Sequence, residues 1–194
     1  MDAMISWLLE KQSLGKNMLI ILDRDGVINF DSDNYIKSPD EWIPIPGSIE
    51  AIALLTKAKY KMVIATNQAG VNRGKFSLET LQKIHQKMLT TIESSGGKIE
   101  KIYFCPHHPD ENCDCRKPQP GMFYQIQRDF KIKSDDMIYV GDSLKDYEVA
   151  QKIGCTFFLV RTSNGIKTEK TLTPSSKVKI FDDLISFVNY FLKL

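Results

Sequence analysis

Met18-Leu-Ile-Ile-Leu22, followed by Asp23-Arg-Asp-Gly-Val-Ile-Asn29, decides how this chain is read. The first stretch is short and apolar at every position. A strand with one wet face alternates polar and apolar residues, whereas a strand covered on both faces does not. It therefore reads as a buried parallel strand between helices. It ends abruptly in acids. Asp23 and Asp25 are two residues apart, which in extended backbone points both carboxylates to one side. Like charges that close repel, so the pair asks for a cation or a proton. A hard divalent ion such as Mg²⁺, bound through oxygen, answers that demand. The plainer alternative is that both acids merely cap the next element.

The same apolar signal recurs along the chain. Residues 61–65 form a second strand closed by Thr66 and Asn67, 98–104 a third, 137–140 a fourth and 156–160 a fifth. Between them, Ile49, Ile52, Leu55 and Ala58 repeat at helical spacing after Pro46-Gly47-Ser48. Ser77 is a good cap for a helix reaching about residue 93, where Gly96 and Gly97 end it. Pro120 opens a helix to residue 130. Residues 144–153 and 181–192 supply two more. Strand alternating with helix predicts an α/β fold, doubly wound around a mostly parallel, Rossmann-like sheet. Residues 1–17 read as an amphipathic arm of no assigned role, and 18–194 as one domain.

Composition narrows the function. The chain has 194 residues and a net charge of +2, with lysines and arginines scattered among acids. A nucleic-acid binder would cluster them on one face. No run approaches the roughly 18 apolar residues of a membrane span. The N-terminus lacks the pattern of a cleaved leader. A cytoplasmic, monomeric protein without nucleic-acid or membrane partners is expected.

Polar residues gather after strands one, two and four, the edge where open α/β sheets bind ligands. Asp142 follows the fourth strand and supplies a third carboxylate. Asp146 lies one helical turn further on. Thr66 offers a hydroxyl, with nearby backbone amides, to phosphate oxygens. Lys117 sits in Arg116-Lys-Pro-Gln-Pro-Gly121, a turn stiff enough to hold its ammonium at a phosphate. Arg116 adds a planar fork for another oxygen pair. Alone, each is also an ordinary strand end or a surface cation.

Three of the four cysteines, Cys105, Cys113 and Cys115, share one loop with His107. Four soft or borderline ligands at Cys-x-His and Cys-x-Cys spacing suit tetrahedral Zn²⁺ in a closed structural site. Reduced, unliganded cysteines are the plain alternative. Cys155 begins a strand and reads as core.

Asp23-Arg-Asp-Gly-Val27, Ile64-Ala-Thr-Asn67, Lys117 and Gly141-Asp-Ser-Leu-Lys-Asp146 occur in one order, and together they resemble the haloacid dehalogenase superfamily of phosphohydrolases. The resemblance covers residues 18–160. It implies a Mg²⁺-dependent phosphatase working through an aspartyl phosphate on Asp23, with Asp25 as acid and base. Asp23, the Asp25 backbone carbonyl and Asp142 would hold the metal, and Thr66 and Lys117 the transferring phosphoryl. Nothing inserted is long enough to form a cap domain. The zinc loop is similar to that of two branches, the heptose bisphosphate phosphatases of surface-sugar synthesis and the histidinol phosphatases. Asn67-Gln-Ala-Gly-Val-Asn-Arg-Gly74 and Lys117-Pro-Gln-Pro-Gly-Met122 look more like the heptose branch. That branch implies a small-molecule sugar bisphosphate substrate near Asp31, Tyr35, Asn67, Gln68, Arg73 and Arg116. A rival of another class is a zinc-loop binding module without catalysis, which needs an aromatic and basic face beside the loop.

Overall fold

The computed structural model describes residues 18–173, 176 and 178–193, so the arm expected over residues 1–17 lies outside the described residues. Six strands form one sheet: β1 (Leu19–Leu22), β2 (Lys61–Asn67), β3 (Lys101–Cys105), β4 (Met137–Gly141), β5 (Thr156–Val160) and β6 (Lys179–Phe181). Their order is β3-β2-β1-β4-β5-β6, and every neighbouring pair is parallel. The helices are α1 (Ser48–Lys57), α2 (Leu78–Ser94), α3 (Gly121–Phe130), α4 (Leu144–Ile153), α5 (Gly165–Glu169) and α6 (Leu184–Leu192). This is the doubly wound order, which reverses direction at β1.

The apolar strands feed two cores, one on each face. Ile20 and Leu22 of β1 pack with α1, α2 and α6 through residues such as Ile52, Met88 and Phe187. Leu19 and Ile21 face the other way, onto Phe123 and Ile126 of α3 and Val149 of α4. Alternate residues of one strand thus enter different cores, which is why β1 has no polar position. Cys155 lies buried in the second core.

Register then builds the site. Leu22 pairs with Ile64 of β2 and with Val140 of β4. Asp23, Thr66 and Asp142 follow within two residues of those partners. Three strands therefore deliver their polar ends to one edge of the sheet, at the switch point.

Two expectations need correction. The sheet has a sixth strand, β6, and Phe181 belongs to it rather than to the last helix. That helix starts at Leu184, where Asp183 caps it by accepting from the Ser186 amide. Three strand residues are too few to show a period of two, and their apolar members continue the spacing of the helix behind them. The third strand also starts later, at Lys101. The short helix α5 was not foreseen. Its first residue, Gly165, packs so tightly on the Val160 carbonyl that a Cβ would stand 1.8 Å from that oxygen.

Phe187 is fully buried among Phe158, Phe181 and Phe191, with ring centroids 4.8–5.6 Å away. Phe187→Ala should cost about 3–5 kcal/mol of stability. Urea unfolding measures it; a loss under about 1 kcal/mol would show that the packing around α6 is looser than described.

Candidate active site

The edge of the sheet above β1 and β4 opens into a cavity of about 450 Å³, within the range of small-molecule sites. Asp23, Asp25, Asp31, Thr66, Arg116, Lys117 and Asp142 all line it.

Lys117 forms its floor. The side chain is 2% exposed, and Nζ lies 2.9 Å from Asp23 Oδ1 and 2.8 Å from Asp146 Oδ1. It also donates to the Ala65 carbonyl and the Tyr139 hydroxyl. Tyr139 in turn donates to Asp146 at 2.6 Å, and Ser143 donates to Asp146 through both N and Oγ. Burial alone would discharge Lys117. Asp146 and Asp23 outweigh it and hold the ammonium's pKa above its usual value. For Asp146, burial is likewise overcome by Lys117, and its pKa is lowered. The backbone of Lys117 is clamped separately. Asn67 accepts from its N–H at 3.0 Å and donates to its carbonyl at 3.1 Å.

Asp23 is the buried partner with work left to do. Its Oδ1 accepts from the Arg24 amide at 2.7 Å and also meets Lys117 Nζ, so both contacts fall on one oxygen. Burial raises its pKa well above the carboxylate norm, opposed by Lys117 and reinforced by Asp146, Asp142 and Asp25. Asp142 is raised to about 7 by burial and by Asp146, although the N–H and side-chain amide of Asn164 donate to it. Carboxylate oxygens of Asp23, Asp142 and Asp146 lie within 4.8 Å of one another. Three carboxylates against one ammonium leave two negative charges in a buried place. That set fits a divalent, oxygen-seeking cation. Gly26 makes the approach possible: its φ is +81°, and a Cβ there would sit 2.4 Å from Asp142 Oδ2.

Asp25 is not part of that acidic cluster. Its carboxylate accepts from Arg24 Nε at 3.0 Å and Nη2 at 2.9 Å, from Asn29 at 2.9 Å and from Gln68 at 2.8 Å. The two acids of one motif thus meet different surroundings, because Gly26 turns the chain directly after them. The expectation from alternation that both carboxylates share one cation is corrected accordingly: the Asp25 carboxylate lines the same cavity but lies outside the cluster of Asp23, Asp142 and Asp146.

The other expected residues divide. Asp31 and Asn67 line the cavity, and Asp31 accepts from Asn164 at 3.4 Å. Arg116 lines it too, and its Nη1 is buried without an acceptor among the described residues. Tyr35 and Arg73 are not among the lining residues. Gln68 is 5% exposed and turned inward, donating to Asp25 and Thr66. Arg24, Asn29, His85, Tyr139 and Asn164 were missed. A histidine on the buried stripe Leu81, Ile84, Met88, Ile92 of α2 was the one visible signal.

Cys105, His107, Cys113 and Cys115 converge beside the cavity. Cys105 Sγ is 3.5 Å from Cys113 Sγ and 3.2 Å from Cys115 Sγ; the latter two are 3.5 Å apart, and His107 Nδ1 is 3.2 Å from Cys115. A tetrahedron with metal–sulfur bonds of about 2.3 Å has edges of about 3.8 Å. The four atoms therefore fit a small tetrahedral ion, and no disulfide joins them. Arg116 and Lys117 follow this knot directly.

The fold, the Asp23-x-Asp25 loop and the Lys117–Asp146 pair define a phosphatase of the haloacid dehalogenase type. The family model for polynucleotide kinase 3 phosphatase matches residues 19–160. The chain is 46% identical over 175 residues to the D-glycero-beta-D-manno-heptose-1,7-bisphosphate 7-phosphatase of Pseudomonas aeruginosa, covering 90% of this chain and 98% of that one. It is 52% identical over 150 residues to the enzyme of the same name from Bordetella bronchiseptica, covering 77% and 84%. The crystal structure of D,D-heptose 1,7-bisphosphate phosphatase from B. bronchiseptica, complexed with magnesium and phosphate, superposes with a TM-score of 0.88 at 46% identity, covering 91% and 98%. The chain belongs to this family of heptose bisphosphate phosphatases.

Asp146→Ala would leave Lys117 buried with half its compensation. A loss of about 3–5 kcal/mol is expected in urea unfolding. A near-neutral result would mean that Asp146 does not hold the lysine.

Proposed function

We propose that the chain is a Mg²⁺-dependent phosphatase that removes the 7-phosphate of D-glycero-beta-D-manno-heptose 1,7-bisphosphate. The observation that carries this is the set of cations around one cavity. Lys117 sits at its floor beside Asp23, while Arg116, Lys145 and Lys167 line it as well. One phosphate needs the first; a substrate with a second anionic group uses the others, starting with the unpartnered Arg116 Nη1. Histidinol phosphate has one phosphate and leaves that set unused. Against the zinc-module reading, Tyr103 is buried and Phe104 packs on His85.

The chemistry follows from the residues. Asp23 attacks phosphorus in line, the bond to the sugar oxygen breaks, and Asp25 donates a proton to that oxygen. Asp25 then takes a proton from water, which attacks the acyl phosphate and restores Asp23. Thr66 and Lys117 hold the phosphoryl oxygens, which is mostly positioning and charge compensation. Asp23, Asp142 and the Asp25 carbonyl would hold Mg²⁺, whose charge would offset that of the attacking carboxylate and the phosphoryl group. In the same reading, Cys105, His107, Cys113 and Cys115 hold Zn²⁺ and fix the loop that carries Arg116 and Lys117. Residues 18–194 act as one capless phosphatase domain, monomeric and cytoplasmic, in heptose supply for surface polysaccharide. Among the described residues no helix is long and apolar enough to cross a membrane.

Phosphate release with Mg²⁺ tests the substrate. The panel is both anomers of the heptose bisphosphate, histidinol phosphate and fructose 1,6-bisphosphate. The β anomer should give the highest kcat/KM; a dominant histidinol phosphate rate would overturn the substrate and spare the mechanism. Asp23→Asn should lower kcat by about 10³-fold or more while the protein stays folded. Elemental analysis should find about one zinc per chain, and its removal should lower the melting temperature. A zinc-free preparation of full stability would remove zinc from the account.

A further inference from the structure

Asp25 is held by a device whose furthest member lies on a helix outside the cavity. Arg24 is 1% exposed and presents its planar fork to Asp25 through Nε and Nη2. Nη2 also donates to Gln68 Oε1 at 3.0 Å. Nη1 meets His85 Nε2 at 3.2 Å, and His85 is 7% exposed on α2. The imidazole leans edge-on against Phe104 of β3, 5.7 Å between centroids. Burial and the neighbouring guanidinium keep this histidine neutral, with its pKa down at about 3. A neutral ring accepts the Nη1 proton without competing for the charge of Arg24, and that charge stays on Asp25. A carboxylate in the place of His85 would draw the fork away.

We infer that His85 is a positioning residue for the phosphatase reaction: it fixes the Arg24 fork, and the fork fixes the carboxyl group of Asp25 for proton transfer. A bidentate pair sets the plane of both groups, which a point charge would not. Gln68 completes the device. Its Oε1 accepts from Arg24 while its Nε2 donates to Asp25, so it ties the fork and the carboxyl group together. Asn29 closes the far side, itself accepting from Trp42 Nε1 at 2.9 Å. The sequence spends a buried arginine, a histidine and two amides on one carboxyl group. A cap on the next element would need none of them.

This inference rests on Asp25 being the acid of the proposed reaction, and leaving-group dependence separates the two claims. A sugar alkoxide needs a proton as it leaves, whereas p-nitrophenolate does not. Asp25 also serves as base in the second step, which both esters share, so the first displacement is read alone: in the pre-steady-state burst, Asp25→Asn should slow leaving-group release far more for the sugar bisphosphate than for p-nitrophenyl phosphate. If both are slowed equally, Asp25 is not the acid and the reading fails at its root. With that selectivity in place, His85→Leu should slow the same burst about 10- to 100-fold more for the sugar bisphosphate than for the aryl ester, with KM changed little. His85→Gln keeps an acceptor for Nη1 and should recover most of the loss. Equal losses of His85→Leu on both esters, or none, would overturn the positioning role. So would a His85→Gln variant that is folded by its melting curve and as impaired as His85→Leu.

Discussion

The ammonium of Lys117, shared between Asp23 and Asp146, is the constraint on which the rest of the site depends. A charge this deep is costly unless it is both paired and hydrogen-bonded. Lys117 satisfies both conditions: two carboxylates, a carbonyl and a phenol surround it. Each partner comes from a different part of the fold. The loop after β1 supplies Asp23, β2 the Ala65 carbonyl, β4 Tyr139 and α4 Asp146. The pairing holds together the strand ends that parallel register has already aligned. It also makes the catalytic loop a structural member, because the lysine reaches this place only if residues 105–117 are fixed. Asn67 fixes them from one side and the Cys105–Cys115 knot from the other.

The second feature is the separation of two acids that sit two residues apart. Asp23 shares its surroundings with a lysine and two further carboxylates, while Asp25 rests in a buried guanidinium fork and two amides. Acid–base assignments are made where neighbouring titratable groups have contrasting environments. Here the contrast follows from one turn. Gly26 adopts a positive φ, and the Arg24 carbonyl accepts from the amides of Ile28 and Asn29, which folds the loop back on itself. Asp142 can then approach the glycine closely. Asp23 and Asp25 line one cavity in contrasting surroundings.

Much of this was legible in the sequence. Wholly apolar strands require cover on both faces, and the two cores show why. Asp23, Thr66, Lys117 and Asp142 stood out because each follows a strand or a rigid turn, where polar residues have few structural uses. The cysteine knot was legible from spacing alone. Other parts were not. β6 has three residues, too few for a period to show. The direction of the Asp25 side chain depends on the turn after it, which alternation does not describe. Arg24 carried no signal of its own between two acids, and only the tertiary fold reveals that it is buried. Gln68 was placed near the substrate by the resemblance alone; its amide turns inward, onto Arg24, Asp25 and Thr66. His85 was a polar residue on an apolar helical stripe, a signal that points to burial but not to its partner.

The central claim is that Asp23 carries the phosphoryl group between two in-line displacements. The stereochemical course at phosphorus tests it most directly, using substrate whose transferred phosphate is made chiral with oxygen isotopes. Two displacements, through Asp23 and then water, predict net retention of configuration. Net inversion would mean that water attacks the substrate directly, and would contradict the account.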